Sequence, residues 1–141
     1  PMQRLLELAG RRGADSVRSA MVHAAYVESE VARLTVRRAR DSARAGRPPG
    51  PEGSGTKLRG SSIFKATADL ALGLLGPESV AADPDDAEDM DEWQTLFLTA
   101  PSISIRGGTD EIQRNIVGER VLGLPPEPRV DLDRPFREIP H

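Results

Sequence analysis

The chain has 141 residues, 38% of them hydrophobic and 4% aromatic, enough for one modest, helix-favouring domain with a limited core. Its formal net charge of −3 gives no global basic footprint for nucleic acid. The absence of cysteine excludes disulfides, thiolate catalysis and cysteine-based zinc sites.

No apolar run approaches the roughly 18 residues that span a bilayer. The opening PMQRLLELAG lacks the apolar core of a secretory signal, so a soluble cytoplasmic protein is the expectation. Pro1 stands directly before helix-like sequence and reads as a cut end inside a longer protein. Met2–Ala9 has the look of a helix tail, with Leu5, Leu6 and Leu8 apolar and Gly10 and Gly13 as punctuation. Asp15 or Ser16 supplies a cap for the next helix. Ala14–Ala45 predicts one long helix whose stripe is Val17, Met21, Ala24, Val31, Leu34 and Thr35, interrupted by Glu28. Arg33, Arg37, Arg40 and Arg44 fall in its C-terminal half, where cations suit the helix dipole, and read as a solvated face. Gly46 ends the helix, and Pro48, Pro49 and Pro51 make a stiff connector.

A second long helix is expected from about Gly55 to Leu75, striped by Phe64, Ala68, Ala71, Leu72 and Leu75 and closed by Gly76–Pro77. Glu78–Glu92 has eight acidic residues and no basic one, and with Pro84 inside it reads as a solvated loop. Its Asp spacing does not follow an EF-hand loop, so no metal site is expected. Trp93–Thr99 predicts a short helix bounded by Pro101, with Trp93, Leu96 and Phe97 on the buried side. Thr109–Leu122 is the last clear helix, with Ile112, Ile116, Val117 and Val121 apolar. The tail after Gly123 is rich in proline and should run extended, held by Leu124, Val130 and Phe136. The resulting organisation is a helical domain over 1–124 and an extended tail over 125–141.

The chemistry concentrates in Arg106–Leu124. Two glycines, Gly107 and Gly108, let the backbone turn sharply and approach a ligand closely. Thr109 is a natural N-cap. Asp110 and Glu111 fill the first helical turn. They suit the helix dipole but oppose a phosphate, so hydrogen bonds to a ribose or base are favoured over a phosphate cradle. Gln113 and Arg114 add polar groups one turn on. The plainer reading is a turn followed by a cap, and spacing alone favours it. Elsewhere Glu28 and Glu30 read as polar groups on a bundle helix, with Glu28 the weaker alternative of a substitute base. His23 reads as a surface or packing residue, His141 as terminal, and Trp93 as a core or interface anchor.

The run RGGTDEIQRNIVGERVLGLP resembles the C-terminal signature of acyl-CoA dehydrogenases: a Gly-Thr pair, an acidic or amide residue, Ile-Gln-Arg, then a helix ending in Arg-Val-Leu-Gly-Leu-Pro. ARAGRPPGPEGSGTKL and LALGLLGP are similar to the connector and following helix of the same domain. The resemblance covers about Ala14 to Arg129. It implies an all-α, up-and-down helical bundle that builds a homo- or hetero-tetramer, with the opening helix truncated here. It also implies an FAD-dependent oxidoreductase of fatty-acid and lipid metabolism that places an α,β double bond in an acyl-CoA thioester. In such enzymes a base takes the α-proton while hydride leaves the β-carbon for the flavin. By the same resemblance Thr109 and Glu111 contact the adenosine part of FAD, Gln113 lies nearby, and Gly107 and Gly108 shape the loop beside the flavin.

Three departures qualify that likeness. Many members place the catalytic Glu immediately before the Gly-Thr pair, where this chain has Gly107, so no catalytic residue is assigned. The flavin-contacting Arg-x-Gln-Phe-Gly helix is absent. The family's Gln-x-x-Gly-Gly contact appears as Gly73-Leu-Leu-Gly76-Pro77, without the amide. The expectation is therefore a flavin-side and oligomer-forming domain that is not active alone. The alternatives are a non-catalytic subunit completing a partner's site, or a helical interaction domain without flavin.

Overall fold

The computed structural model describes residues 1–48, 50–51, 53–80, 87–126 and 135–138. Among them there are five α-helices and no strand: α1 (Met2–Arg12), α2 (Ser16–Arg44), α3 (Gly53–Leu75), α4 (Ala87–Ile103) and α5 (Asp110–Ile116). The all-α bundle expected from sequence is what forms. Helix α3 is its hub and contacts each of the other four helices. Glu28 of α2 pairs with Arg59 of α3, and Met21 shares a groove with Leu70, so α2 and α3 run antiparallel. Helix α4 returns antiparallel to α3, with Trp93 in the cluster around Leu75 and Ser104, just beyond α4, bonded to Lys65. No described helix is long and apolar enough to cross a membrane.

The helix ends follow from local chemistry. Asp15 caps α2, its carboxylate accepting from the Arg18 N–H at 2.8 Å, which also lowers its pKa through that backbone hydrogen bond. Gly13 ends α1 at φ 66°, in the left-handed region where a Cβ is costly. Gly10 proves to lie inside α1 and does not punctuate it.

The core gathers Leu5 and Leu8 of α1, Val22 of α2, Ala71 and Leu75 of α3 and Trp93 of α4. Burying side chains such as Leu5, Leu8 and Trp93 stabilises by about 1.5–3 kcal/mol each. Arg4 stacks its guanidinium 5.8 Å above the Trp93 ring and pairs with Glu92, closing the edge of this cluster.

Four expectations need correction. The predicted stripe of α2 is not buried: Val17, Met21, Val31 and Leu34 are exposed, while Val22 and Ala25 are buried. A helix of 29 residues with apolar side chains on two faces offers two ways to pack, and it is Val22 that enters the cluster formed with α1, α3 and α4. The acidic run is not a loop throughout. Helix α4 begins at Ala87 and passes through Pro101, because acidic residues suit the first turn of a helix and a proline two residues from the end deletes only one late backbone bond. Residues 81–86 lie outside the described part. Phe97 is 41% exposed, not buried, and Ala100 takes the inward position. The last helix is not uniform either. Helix α5 gives way to a π-helical turn over Val117–Val121, where Leu124 folds back and its N–H donates to the Gly118 carbonyl at 3.0 Å. Of the predicted tail contacts, Val130 and the side chain of Phe136 lie outside the described part.

Candidate functional site

The link between α4 and α5 is short and tightly tied. Ser104 to Arg106 close the end of α4 with turn hydrogen bonds. Gly107 and Gly108 come next at φ 70° and 91°, values that a side chain adopts only with strain. Thr109 then caps α5, its Oγ1 accepting from the Ile112 N–H at 3.3 Å, as its sequence position predicts.

Gln113 is buried, and its Nε2 donates to the Gly107 carbonyl at 2.9 Å. That amide fills the space beside Gly108, where a Cβ would stand 2.6 Å from Gln113 Nε2. A side chain at Gly108 would be opposed by the backbone angle and would also have to displace the Gln113 amide. Glu111 is on the opposite, open side: its side chain is 78% exposed and reaches Arg114 at 3.5 Å. Its carboxyl is held below the usual range, chiefly by its own backbone N–H and then by the Thr109 hydroxyl. The four predicted residues therefore divide. Thr109 and Glu111 have atoms on the surface of the loop, Gly108 shapes it, and Gln113 braces it from beneath.

Sequence reasoning misses Lys57 and Lys65. They are the chain's two lysines, set against seventeen arginines, and both converge on Asp110. Lys57 Nζ lies 2.7 Å from Asp110 Oδ1 and Lys65 Nζ 3.7 Å from Oδ2. Lys57 also donates to the Ser104 carbonyl at 3.3 Å and Lys65 to the Ser104 hydroxyl at 2.7 Å, while the Asp110 N–H donates to the Ser104 carbonyl at 3.0 Å. The hydrogen bond from Lys57, then one from Ser104, brings the Asp110 carboxyl down to about 2. This cluster explains why α5 turns a polar side inward, with Asp110 and Gln113 buried and Ile112 52% exposed. The available signal was the rarity of lysine and the four-residue spacing of Lys57, Ser61 and Lys65, which puts all three on one face of α3.

Two other features lie apart from this loop. Glu28 is exposed and paired with Arg59. Open grooves of about 630 and 620 Å3 run between α2 and α3, and neither is lined by a residue from Gly107 to Gln113. The loop is a surface of this chain, and a ligand resting on it needs a second wall.

Residues 3–122 match the family described as acyl-CoA dehydrogenase, C-terminal domain. The chain belongs to that family. It is also similar to acyl-CoA dehydrogenase IpdE1 of Mycobacterium tuberculosis, 42% identical over 72 residues, and to IpdE1 of Mycolicibacterium smegmatis, 38% identical over 72 residues. Each match takes in 51% of this chain and 18% of the relative's length. No solved structure matches it significantly.

Proposed function

We propose that this domain, residues 1–124 followed by a tail over 125–141, is the flavin-side and oligomer-forming part of an FAD-dependent enzyme that desaturates acyl-CoA thioesters. The observation that carries the reading is the Gly107–Gly108–Thr109–Asp110–Glu111 turn, which leaves a hydroxyl and a carboxylate on an open surface. These groups suit the hydroxyls of a ribose and the amine of an adenine. The exposed Glu111 carboxylate is unsuited to the pyrophosphate, so the domain would hold the adenosine part through Thr109 and Glu111, with Gly108 and Gln113 setting the loop. FAD, when bound, supplies the acceptor for the substrate's hydride. The second wall would come from another domain or subunit, consistent with a homo- or heteromeric assembly.

Gly107 favours a second reading. It stands where many members carry the base, and it has no side chain to move a proton. A non-catalytic subunit that completes a partner's flavin site fits that substitution. The absorbance spectrum of the complete protein separates the two. A flavin spectrum bleached by acyl-CoA supports the enzyme. Flavin held only after a second polypeptide is added supports the partner subunit, and no flavin in either case overturns both. Thr109→Ala then tests the contact itself: FAD retention equal to that of the wild type removes Thr109 from the site.

A further inference from the structure

We infer that Lys57 is a positioning residue, acting through Asp110 and the Ser104 carbonyl to set the Gly107–Gly108–Thr109 loop for the nucleotide. The inference rests on the flavin reading above and adds to it a device on a different helix, some fifty positions earlier in the chain.

The loop has two glycines in succession, so its torsions alone do not fix where Thr109 and Glu111 point, and the Gln113 amide braces only its middle, at the Gly107 carbonyl. Its start and its end are fixed instead by one cation. Lys57 reaches the Ser104 carbonyl at the loop's start and the Asp110 carboxylate at its end, at 3.3 and 2.7 Å. The same carbonyl accepts from the Asp110 N–H at 3.0 Å, so both ends are drawn to one point on α3. Lys65 repeats the pattern more loosely and nearer to solvent, with its side chain 45% exposed against 20% for Lys57.

The residue type matters. Arginine outnumbers lysine heavily in this chain, yet lysine stands at both positions facing Asp110. A slender ammonium reaches both the Ser104 carbonyl and the Asp110 carboxylate within a small, half-buried space, whereas a guanidinium presents its five donors in a fixed plane. A mobile loop that must be ordered on binding loses affinity to that ordering, so a loop held in place beforehand binds more tightly.

The test uses the complete flavoprotein and tracks the release of FAD by its fluorescence in the wild type, Lys57→Met, Asp110→Asn and the double variant. Each single substitution is expected to speed release by about tenfold, the equivalent of losing one charge-assisted hydrogen bond's contribution. The double variant should release no faster than the quicker single one, because the two residues act as a unit. Unfolding of the flavin-free proteins is measured in parallel. A purely structural role would lower that midpoint and leave the release rate of folded protein unaltered, which would overturn the inference. So would release rates that multiply in the double variant. If Lys57→Met does not fold, Asp110→Asn, which keeps the side chain's shape, must show the faster release alone. A wild-type protein that carries no FAD, alone or with a partner, fails at the earlier step and overturns the flavin reading itself.

Discussion

The last turns of α3 sit among apolar side chains, whereas its earlier turns are tied to their neighbours by charge. Ala71 and Leu75 are buried against Leu5, Leu8 and Trp93. Earlier on the same helix, Lys57 and Lys65 hold Asp110 and Ser104. Apolar packing is non-directional and tolerates small shifts of one helix on another. The lysine cluster is directional and fixes a few atoms of one loop. The bundle thus draws its stability from one end of α3 and places its loop geometry at the other.

The sharpest way to break that division is to remove the packing. Trp93→Ala should cost about 3–5 kcal/mol in urea unfolding, a large share of what a domain of this size has. A loss under about 1 kcal/mol would mean that the apolar end does not carry the fold. Next in size is Gly108→Ala, expected to cost about 1–3 kcal/mol through backbone strain and to displace the Gln113 amide that a Cβ would meet at 2.6 Å. Gly107→Ala, which has the same sign of φ but open space around it, should cost only about 1 kcal/mol. Equal losses at both glycines would show that Gln113 does not brace the loop.

These two ends differ in how plainly the sequence announces them. Leu5, Leu8, Ala71, Leu75 and Trp93 lie at helical spacings, and periodicity alone predicts that they are buried. The Asp15 and Thr109 caps are likewise legible, because a short oxygen side chain before a helix has few other uses. The charged end is hidden because Lys57 and Asp110 are far apart in sequence, and no local pattern pairs them. Periodicity also misjudges α2. On α2 it marks an apolar stripe without saying which of two faces the neighbouring helix would take. On α5 the inward place of Asp110 follows from an ion pair with α3 that no local pattern shows.

A smaller effect depends on pH. Asp110 ionises at about 2 in the fold against an ordinary 3.8. Its pKa is depressed by folding, so its contribution is complete above the unfolded value and is lost as pH falls through the folded one. The difference in unfolding midpoint between the wild type and Asp110→Asn should therefore stay constant from neutral pH down to about 4 and vanish towards about 2. Asp15 and Glu30, also depressed by hydrogen bonds from Arg18 and Arg33, are present in both proteins and cancel in the difference. A gap that persisted unchanged to the lowest pH would remove the carboxylate charge from the explanation.

The smallest change is expected at an exposed apolar position of α2. Leu34 is 52% exposed, while Val22 on the same helix is 3% exposed. Leu34→Ser should alter unfolding by no more than about 0.5 kcal/mol, against about 2 kcal/mol for Val22→Ala. The comparison is informative because sequence periodicity ranks Leu34 as a core position. A loss at Leu34 as large as that at Val22 would mean that the stripe is covered. Repeating the measurement across a range of protein concentrations then locates the cover: a midpoint that rises with concentration places it between molecules, since association stabilises the folded state by mass action. A large loss independent of concentration would place the cover within the chain and require α2 to be rotated about its axis relative to α3.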